Sequence, residues 1–484
     1  VPEPILYDYQ EEHLGAVRIA RRQHQNVVFV APTGYGKTHC FLFMTYRAYH
    51  RGHVVHIQSH LREILEQVSK RLSRFSIPHD WIASGKPDGD HTVKLCMVQT
   101  AARRMEGLRP PHLRIEDECH HARASQWQLL RNWSPLTKNL GCTATPQRPD
   151  GKGLDLSYGC MVPSMQIKEL IEINQKDPSR GLVQPVVFAP PNELDLSDVG
   201  SSDGEYNLTK AGLALDKAKI TGEAVAEYSR LCPGARAIVF DATIKRAKET
   251  AERFTAAGYK ASHIDGNMDE WQRRAIFQGF ENGSIQVLTS VNMFLEGVDV
   301  PGVEAVIWLR PTKSLVIWCQ GNGRGMRAAP GKRLVYILDH VGNTYRHGLP
   351  DMDREWYLQG RPKGKKRENL GERLIRCLFC HAQFEPGPSA CPQCFTPVPV
   401  KERKIIQVAG QLVLAVDEER ITKLMQREQI KQKIADSLYK CHSEKDCIAL
   451  ALELGKNEEF GRHLWIKKNI WRKGSGKSID LKQR

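Results

Sequence analysis

Long apolar runs are missing from this sequence: nowhere in its 484 residues does a stretch approach the length that a bilayer-spanning helix needs. The opening Val1-Pro2-Glu3-Pro4 lacks the basic start and apolar run of a signal peptide, and the missing initiator Met reads as trimming. The expectation is therefore a cytoplasmic protein that does not engage a membrane. Cysteine is present but not as a disulfide framework. Its count, 13, is odd, and Cys40, Cys96, Cys142 and Cys319 stand singly in apolar segments, which suits a reducing compartment. Acid is in deficit, 55 Asp and Glu against 70 Lys and Arg, and the net +15 thickens toward the C-terminus. A polyanionic partner accounts for that excess, and so does a merely basic soluble protein. The length accommodates about three domains, each able to bury its own core.

The most informative stretch is VVFVAPTGYGKTHCF, residues 27–41. Residues 27–30 form a β-branched and aromatic run, the pattern of a strand buried on both faces, and a loop of small residues and then a helix follow. In that loop, Thr33 to Gly36, the glycines Gly34 and Gly36 admit the positive φ that aims backbone N–H groups at phosphate oxygens, and the next helix adds its positive dipole end. Lys37 can reach the β- and γ-phosphates, and the Thr38 hydroxyl can ligate a bridging Mg²⁺. The general pattern would put glycine at Ala31, so one element of the motif is absent.

Upstream, Gln10 precedes a helical stretch, residues 11–21. Its amide can read the N6 and N7 edge of adenine, although a surface Gln before a helix reads the same way. Downstream, residues 54–57 read as a second strand, 60–72 as a core-facing helix, and 94–98 as a third strand whose polar end, Gln99-Thr100, faces a ligand crevice. In Ile115-Glu116-Asp117-Glu118-Cys119-His120-His121, adjacent carboxylates at a strand end can divide two tasks. Asp117 holds Mg²⁺ through its water shell, and Glu118 orients or deprotonates the attacking water. The alternatives are a solvated acidic loop or a metal site at His120 and His121. Glu116 occupies a position where a buried aliphatic is expected, so either the strand ends early or a carboxylate sits beside the metal. Thr143 and Thr145, in LGCTATP, can hydrogen-bond the acid pair and couple nucleotide state to the neighbouring domain.

Gln10, APTGYGKT, DECH, TATP, EGVD and QGNGRGMR stand in the order found in superfamily two helicases. Over about residues 6–348 the chain resembles their DExH branch, and within it the XPB/RadD-type group of bacteria and phages, whose members pair DECHH, RPTKS and LDHxGN with a following zinc ribbon. The departure at Ala31 is the form seen in helicases. The resemblance implies an ATP-driven nucleic-acid motor that uses ATP, Mg²⁺ and Zn²⁺ in a bacterial or phage-infected cell. The implied partner is DNA (single-stranded, forked or branched), with RNA left open and no protein partner identified. The implied role is in repair, recombination or fork and branch processing.

A second alternating series begins after residues 181–203, which read as the crossing between domains and contain one short strand at 186–188. Strands at 236–240, 260–264 and 285–289 alternate with helices at 244–257 and 269–280, so a second parallel sheet is expected. Glu296-Gly297-Val298-Asp299 resembles the family's fifth motif, in which the acid bonds ribose or relays to nucleic acid; Gly297 and Asp299 are the nucleotide-contact candidates. Arg324 and Arg327, three apart on one helix face, can both point across the cleft at the γ-phosphate as arginine fingers. Arg310 and Lys313, in RPTKS, are expected near DNA.

Residues 361–367 are a Lys/Arg/Gly linker, followed by Cys377-x-x-Cys380 and Cys391-x-x-Cys394, whose spacing is that of two metal knuckles. Zinc is expected there in a structural role, ahead of iron–sulfur or disulfides, because four thiolates leave no open coordination position. Residues 418–439 read as a charged helix. Trp465 and Trp471 among Lys467, Lys468, Arg472 and Lys473 can stack on nucleotides or pack a small helical domain. The expected architecture is α/β: RecA-like domains at 1–180 and 181–360, a linker and zinc ribbon at 361–400, and a basic helical module at 401–484. The expected activity is ATP-dependent DNA translocation or unwinding. Its rivals are a motor subunit of a restriction or defence complex, for which no nuclease signature is visible, and a non-hydrolysing nucleic-acid scaffold.

Overall fold

The computed structural model describes residues 3–121, 125–148, 151–190, 196, 199–202, 205–217, 224–291, 302–360, 374–398 and, in the C-terminal part, 433, 437, 440–455, 458–459, 461–462 and 464–465. Gly297, Asp299, the 361–367 linker, Trp471 with its neighbouring bases, and nearly all of 418–439 lie outside the described residues. The chain forms two compact units, Val1–Glu372 and Arg373–Arg484.

The first unit contains two RecA-like parallel sheets. In the first are β1 (Asn26–Val30), β2 (Val55–Ser59), β3 (Asp80–Ile82), β4 (Val93–Met97), β5 (Leu113–Asp117), β6 (Lys138–Thr143) and β7 (Cys160–Pro163), in the order β3-β4-β2-β5-β6-β1-β7. The central strands are buried on both faces, which is why they read as continuous apolar runs. The second sheet begins with β8 (Gln184–Phe188), the short strand anticipated in the crossing, which pairs in parallel with the last strand of this sheet. A small hairpin, β9 (Ser201–Ser202) and β10 (Glu205–Tyr206), intervenes. Then come β11 (Ala237–Asp241), β12 (Ala261–His263), β13 (Val287–Ser290), β14 (Ala305–Leu309) and β15 (Leu334–Asp339), ordered β12-β13-β11-β14-β15-β8. Its core includes Val239, Phe254, Ile307 and Leu338.

Gln99 and Thr100 do not end a strand. The chain turns helical directly after β4, over Val98–Arg104, and Gln99 is exposed. Val98 and Ala101 are drawn into a cluster with Trp127 and Leu130, so apolar burial starts the helix where the sequence read further strand.

In the second unit, β16 (Ile375–Arg376) and β17 (Ala382–Phe384) form an antiparallel hairpin. The two Cys-x-x-Cys turns are built alike. His381 N–H donates to the Cys377 carbonyl at 3.0 Å and Phe395 N–H to that of Cys391 at 2.9 Å, and His381 and Phe395 both have positive φ, 64° and 60°. Further on, the helix Glu444–Glu453, capped by Ser443, packs Cys447 and Leu450 against Cys441 and Leu464. Trp465 lies partly buried on that cluster, so of its two readings the packing one describes it here. No helix among the described residues is long and apolar enough to cross a membrane.

Candidate nucleotide site

β1 runs between β6 and β7 and delivers Ala31 to the carboxyl edge of the sheet, where its N–H donates to the Thr143 carbonyl at 3.0 Å. Gly34 and Gly36 have φ of +85° and +95°, which side chains rarely adopt, and Gly36 caps the helix Lys37–Tyr49. A bare loop thus opens onto a helix N-terminus, the arrangement that binds phosphate. The Lys37 ammonium folds back on the carbonyls of Ala31 and Pro32, at 3.0 and 3.4 Å. Burial lowers its pKa, opposed by the Glu118 and Asp117 carboxylates, while Arg327 adds to the lowering.

Asp117 ends β5, and burial, then the adjacent Glu118 charge, push its pKa up to about 7 against the pull of Lys37 and Arg324. A divalent cation bound there would relieve both effects, so the side chain fits a magnesium ligand. Glu118 has φ +51°, uncommon for a non-glycine residue, and its buried Oε2 accepts no hydrogen bond, with His120 Nδ1 3.4 Å away.

Thr143 does not bond the acid pair directly. Its hydroxyl lies 3.2 Å from His120 Nδ1 and donates to the Thr145 carbonyl, so it reaches Glu118 only through His120. Glu116 resolves neither way it was read. β5 continues through Asp117, and the Glu116 carboxylate is fully buried, held by Arg131 and the Tyr158 hydroxyl. Although burial acts to raise its pKa, Arg131 holds Glu116 below the ordinary carboxylate value.

Across the cleft, the helix Leu315–Met326 carries Arg324 near its C-terminus, and Arg327 lies just past its end with extended backbone. The two are therefore not on one helix face, yet both line the same cavity as Lys37, Thr38, Asp117 and Glu118, with a volume of about 690 Å³. The glycines of QGNGRGMR explain the close approach. A Cβ on Gly321 would lie 2.6 Å from the Trp308 ring and one on Gly325 2.6 Å from Val306, so these face the sheet; one on Gly323 would lie 2.8 Å from the Thr33 Cβ, so it faces the phosphate loop. Lys332 ties down the end of this helix by donating to the carbonyls of Gly325 and Arg327, the latter at 2.8 Å, and burial pushes its pKa down to about 7. Sequence reasoning missed Lys332 because nothing local marks a basic residue as buried.

Gln10 lines the cavity but its amide is engaged by the protein: Nε2 donates to the Tyr35 carbonyl at 2.9 Å and Oε1 accepts from Tyr7 N–H at 3.1 Å. The Tyr7 and Tyr9 rings stack beside it at 5.5 Å, and Arg180 lies over Tyr7 at 4.7 Å. Arg310, expected near DNA, is instead buried, donating to the Val291 carbonyl at 3.1 Å and facing Glu205 at 3.5 Å. In the second unit, the Sγ atoms of Cys377, Cys380, Cys391 and Cys394 lie within 4.8 Å of one another. A tetrahedral cation with four thiolate ligands fits that cluster, and zinc would close the two turns onto each other.

Two family profiles match the chain: type III restriction enzyme, res subunit, over residues 3–148, and helicase conserved C-terminal domain, over 222–329. A Lactococcus phage (isolate 7-9) "51.5 kDa protein" is 30% identical over 407 residues, covering 84% of this chain and 83% of the phage protein. "Putative ATP-dependent helicase IRC3" of Saccharomyces cerevisiae is 26% identical, covering 70% of this chain and 52% of the yeast protein, so the chain spans about half of that relative. Among solved structures, the ATP-dependent type ISP restriction-modification enzyme LlaBIII bound to DNA shares the fold with TM-score 0.50 and 18% identity, over 70% of this chain and 28% of the enzyme. The two profiles fall in order on the two sheets that enclose the cavity, and with the extent of the phage relative they establish that this chain belongs to the superfamily two helicases.

Proposed function

We propose that the chain is an ATP-driven DNA motor whose hydrolytic site is shared by its two RecA-like sheets. The observation that carries this reading is the single cavity lined by Lys37, Thr38, Asp117 and Glu118 from the first sheet and Arg324 and Arg327 from the second. ATP is the substrate. Thr33, Gly34, Gly36 and Lys37 hold its phosphates, with Gln10 at the base end and, from the fifth motif, Gly297 and Asp299 as further nucleotide contacts. Thr38 and Asp117 hold Mg²⁺, which when bound neutralises charge on the phosphates. Glu118 takes the proton of the attacking water, and Arg324 and Arg327 stabilise the charge that develops on the transferred phosphoryl group. Hydrolysis removes what the arginines hold, the cleft opens, and a strand lying over both sheets is moved.

DNA as the partner is supported by the net +15 charge and by the DNA-bound state of LlaBIII. Residues 1–180 and 181–360 are taken as the two motor lobes, 361–400 as a linker and ribbon, with Cys377, Cys380, Cys391 and Cys394 binding one structural Zn²⁺, and 401–484 as a basic module. A second reading, a motor subunit working with a separate nuclease in a restriction system, is favoured by the match to the restriction res-subunit profile. Steady-state ATPase assays with single-stranded, duplex, forked and branched DNA and with RNA test the motor reading. Stimulation by DNA that Lys37→Ala abolishes is expected; a rate indifferent to nucleic acid, or unaffected by the substitution, contradicts it.

A further inference from the structure

At the carboxyl end of the second sheet, several donors converge on one carboxylate. Glu205, in β10, accepts from the Lys313 backbone N–H at 2.7 Å and from the Thr312 hydroxyl, with Arg310 Nη2 at 3.5 Å. The adjoining Tyr206 ring carries the Lys313 ammonium at 4.6 Å and the Arg346 guanidinium at 5.6 Å. A hydroxyl, a backbone N–H, a guanidinium and nearby cations form the donor set that binds a phosphodiester oxygen. Thr312 and Lys313 follow the end of β14, at the sheet edge where open α/β sheets bind their ligands.

The segment that follows the hairpin continues across the same edge. The helix Leu208–Lys217 lies so close to the end of β11 that a Cβ on Gly212 would stand 3.5 Å from Arg246 Cδ and 3.6 Å from Thr243 Cγ2. Its Ala211 packs with Leu196, Val199 and Tyr206 in a small core of its own. Residues 205–217 therefore lie at the ends of β11 and β14, where Glu205 meets Thr312 and Arg310, both buried.

We propose that Arg310, Thr312 and Lys313 form a phosphodiester-binding site for the translocated strand, and that the Glu205 carboxylate occupies it as an internal competitor. The hairpin and following helix act as a strap that nucleic acid must displace before it lies along the second sheet. The site rests on the motor reading, because only a nucleic-acid track supplies the displacing phosphate. Binding and the charge of Glu205 are then linked: what weakens the strap tightens the track.

The test uses the full chain and a fluorescent single-stranded oligonucleotide, with affinity read by anisotropy and folding by thermal melting. Glu205→Gln, which keeps shape and loses charge, is expected to bind on the order of fivefold tighter than wild type. Lys313→Gln, at a partly exposed position less prone to misfolding than buried Arg310, is expected to remove that gain when combined with Glu205→Gln. Folded Glu205→Gln that binds no tighter than wild type overturns the strap, as does a gain that persists in the double variant. The ATPase of the wild type keeps the two readings apart. DNA stimulation with unchanged affinity in Glu205→Gln removes only the strap, whereas no stimulation by any nucleic acid removes the motor reading beneath it.

Discussion

Glu118 holds a backbone conformation that few non-glycine residues adopt, and a buried carboxylate oxygen with no hydrogen bond; both are costs that packing around the acid pair sustains. Glu118→Gln is expected to retain ATP binding while lowering turnover by on the order of a hundredfold or more, read as kcat against nucleotide affinity. His56 supplies a pH test away from this site. It is buried in β2 against the Trp133 ring, and burial, with Arg114 and Lys94 nearby, lowers its pKa from 6.5 to about 3. The folded protein keeps His56 neutral while the unfolded chain protonates it, so its contribution is intact above pH 6.5 and is lost as pH falls toward 3, by about 1.4 kcal/mol per pH unit. Between pH 7 and 5 the melting temperature of the wild type should fall further than that of His56→Phe; parallel curves would contradict this. Single residues were the least legible in the sequence. Asp117 and Lys37 announced themselves by motif, but the pairing of Glu116 with Arg131 depends on how the helix Ser125–Trp133 crosses the sheet, which local pattern does not record.

At the scale of elements, the helix Leu315–Met326 joins sheet and cleft. Its glycines face both ways, and Lys332 holds the carbonyls at its exit. Lys332→Met keeps the volume and removes the donor. It is expected to lower kcat by on the order of tenfold with the KM for ATP within about twofold, the signature of misplaced arginines and not of lost substrate binding; unchanged kcat would refute a positioning role. The ribbon makes an independent prediction: purified protein should carry one zinc per chain, lost in Cys391→Ser, and iron or no metal would refute it. Strands 27–30 and 54–57 of the first sheet and 236–240 and 285–289 of the second were readable because doubly buried parallel strands appear as apolar runs, whereas their order in each sheet depends on crossovers that local pattern does not record. The helix after β4 was not readable, because Val98 continues the apolar run of the strand and nothing local marks Gln99-Thr100 as a helical turn. The left-handed His381 and Phe395 carry no glycine to mark them.

For the whole molecule, the decisive feature is that neither sheet holds a complete site. The phosphate loop and acid pair stand on one, the arginines on the other, and the Gly323–Thr33 approach brings them together. Sequence order exposed the parts, since the phosphate loop, the acid pair and the fifth motif each follow a strand read from the sequence, but not how nearly the lobes touch, nor that residues 205–217 lie at the carboxyl end of the second sheet. In the proposed motor, Arg324 completes a site built nearly 300 residues earlier. The direct measurement is ATP turnover by Arg324→Ala at saturating single-stranded DNA, beside its affinity for a fluorescent ATP analogue. A stimulated rate reduced by on the order of a thousandfold, with affinity changed by no more than a few-fold, is the predicted result; turnover at the wild-type rate would contradict the composite site.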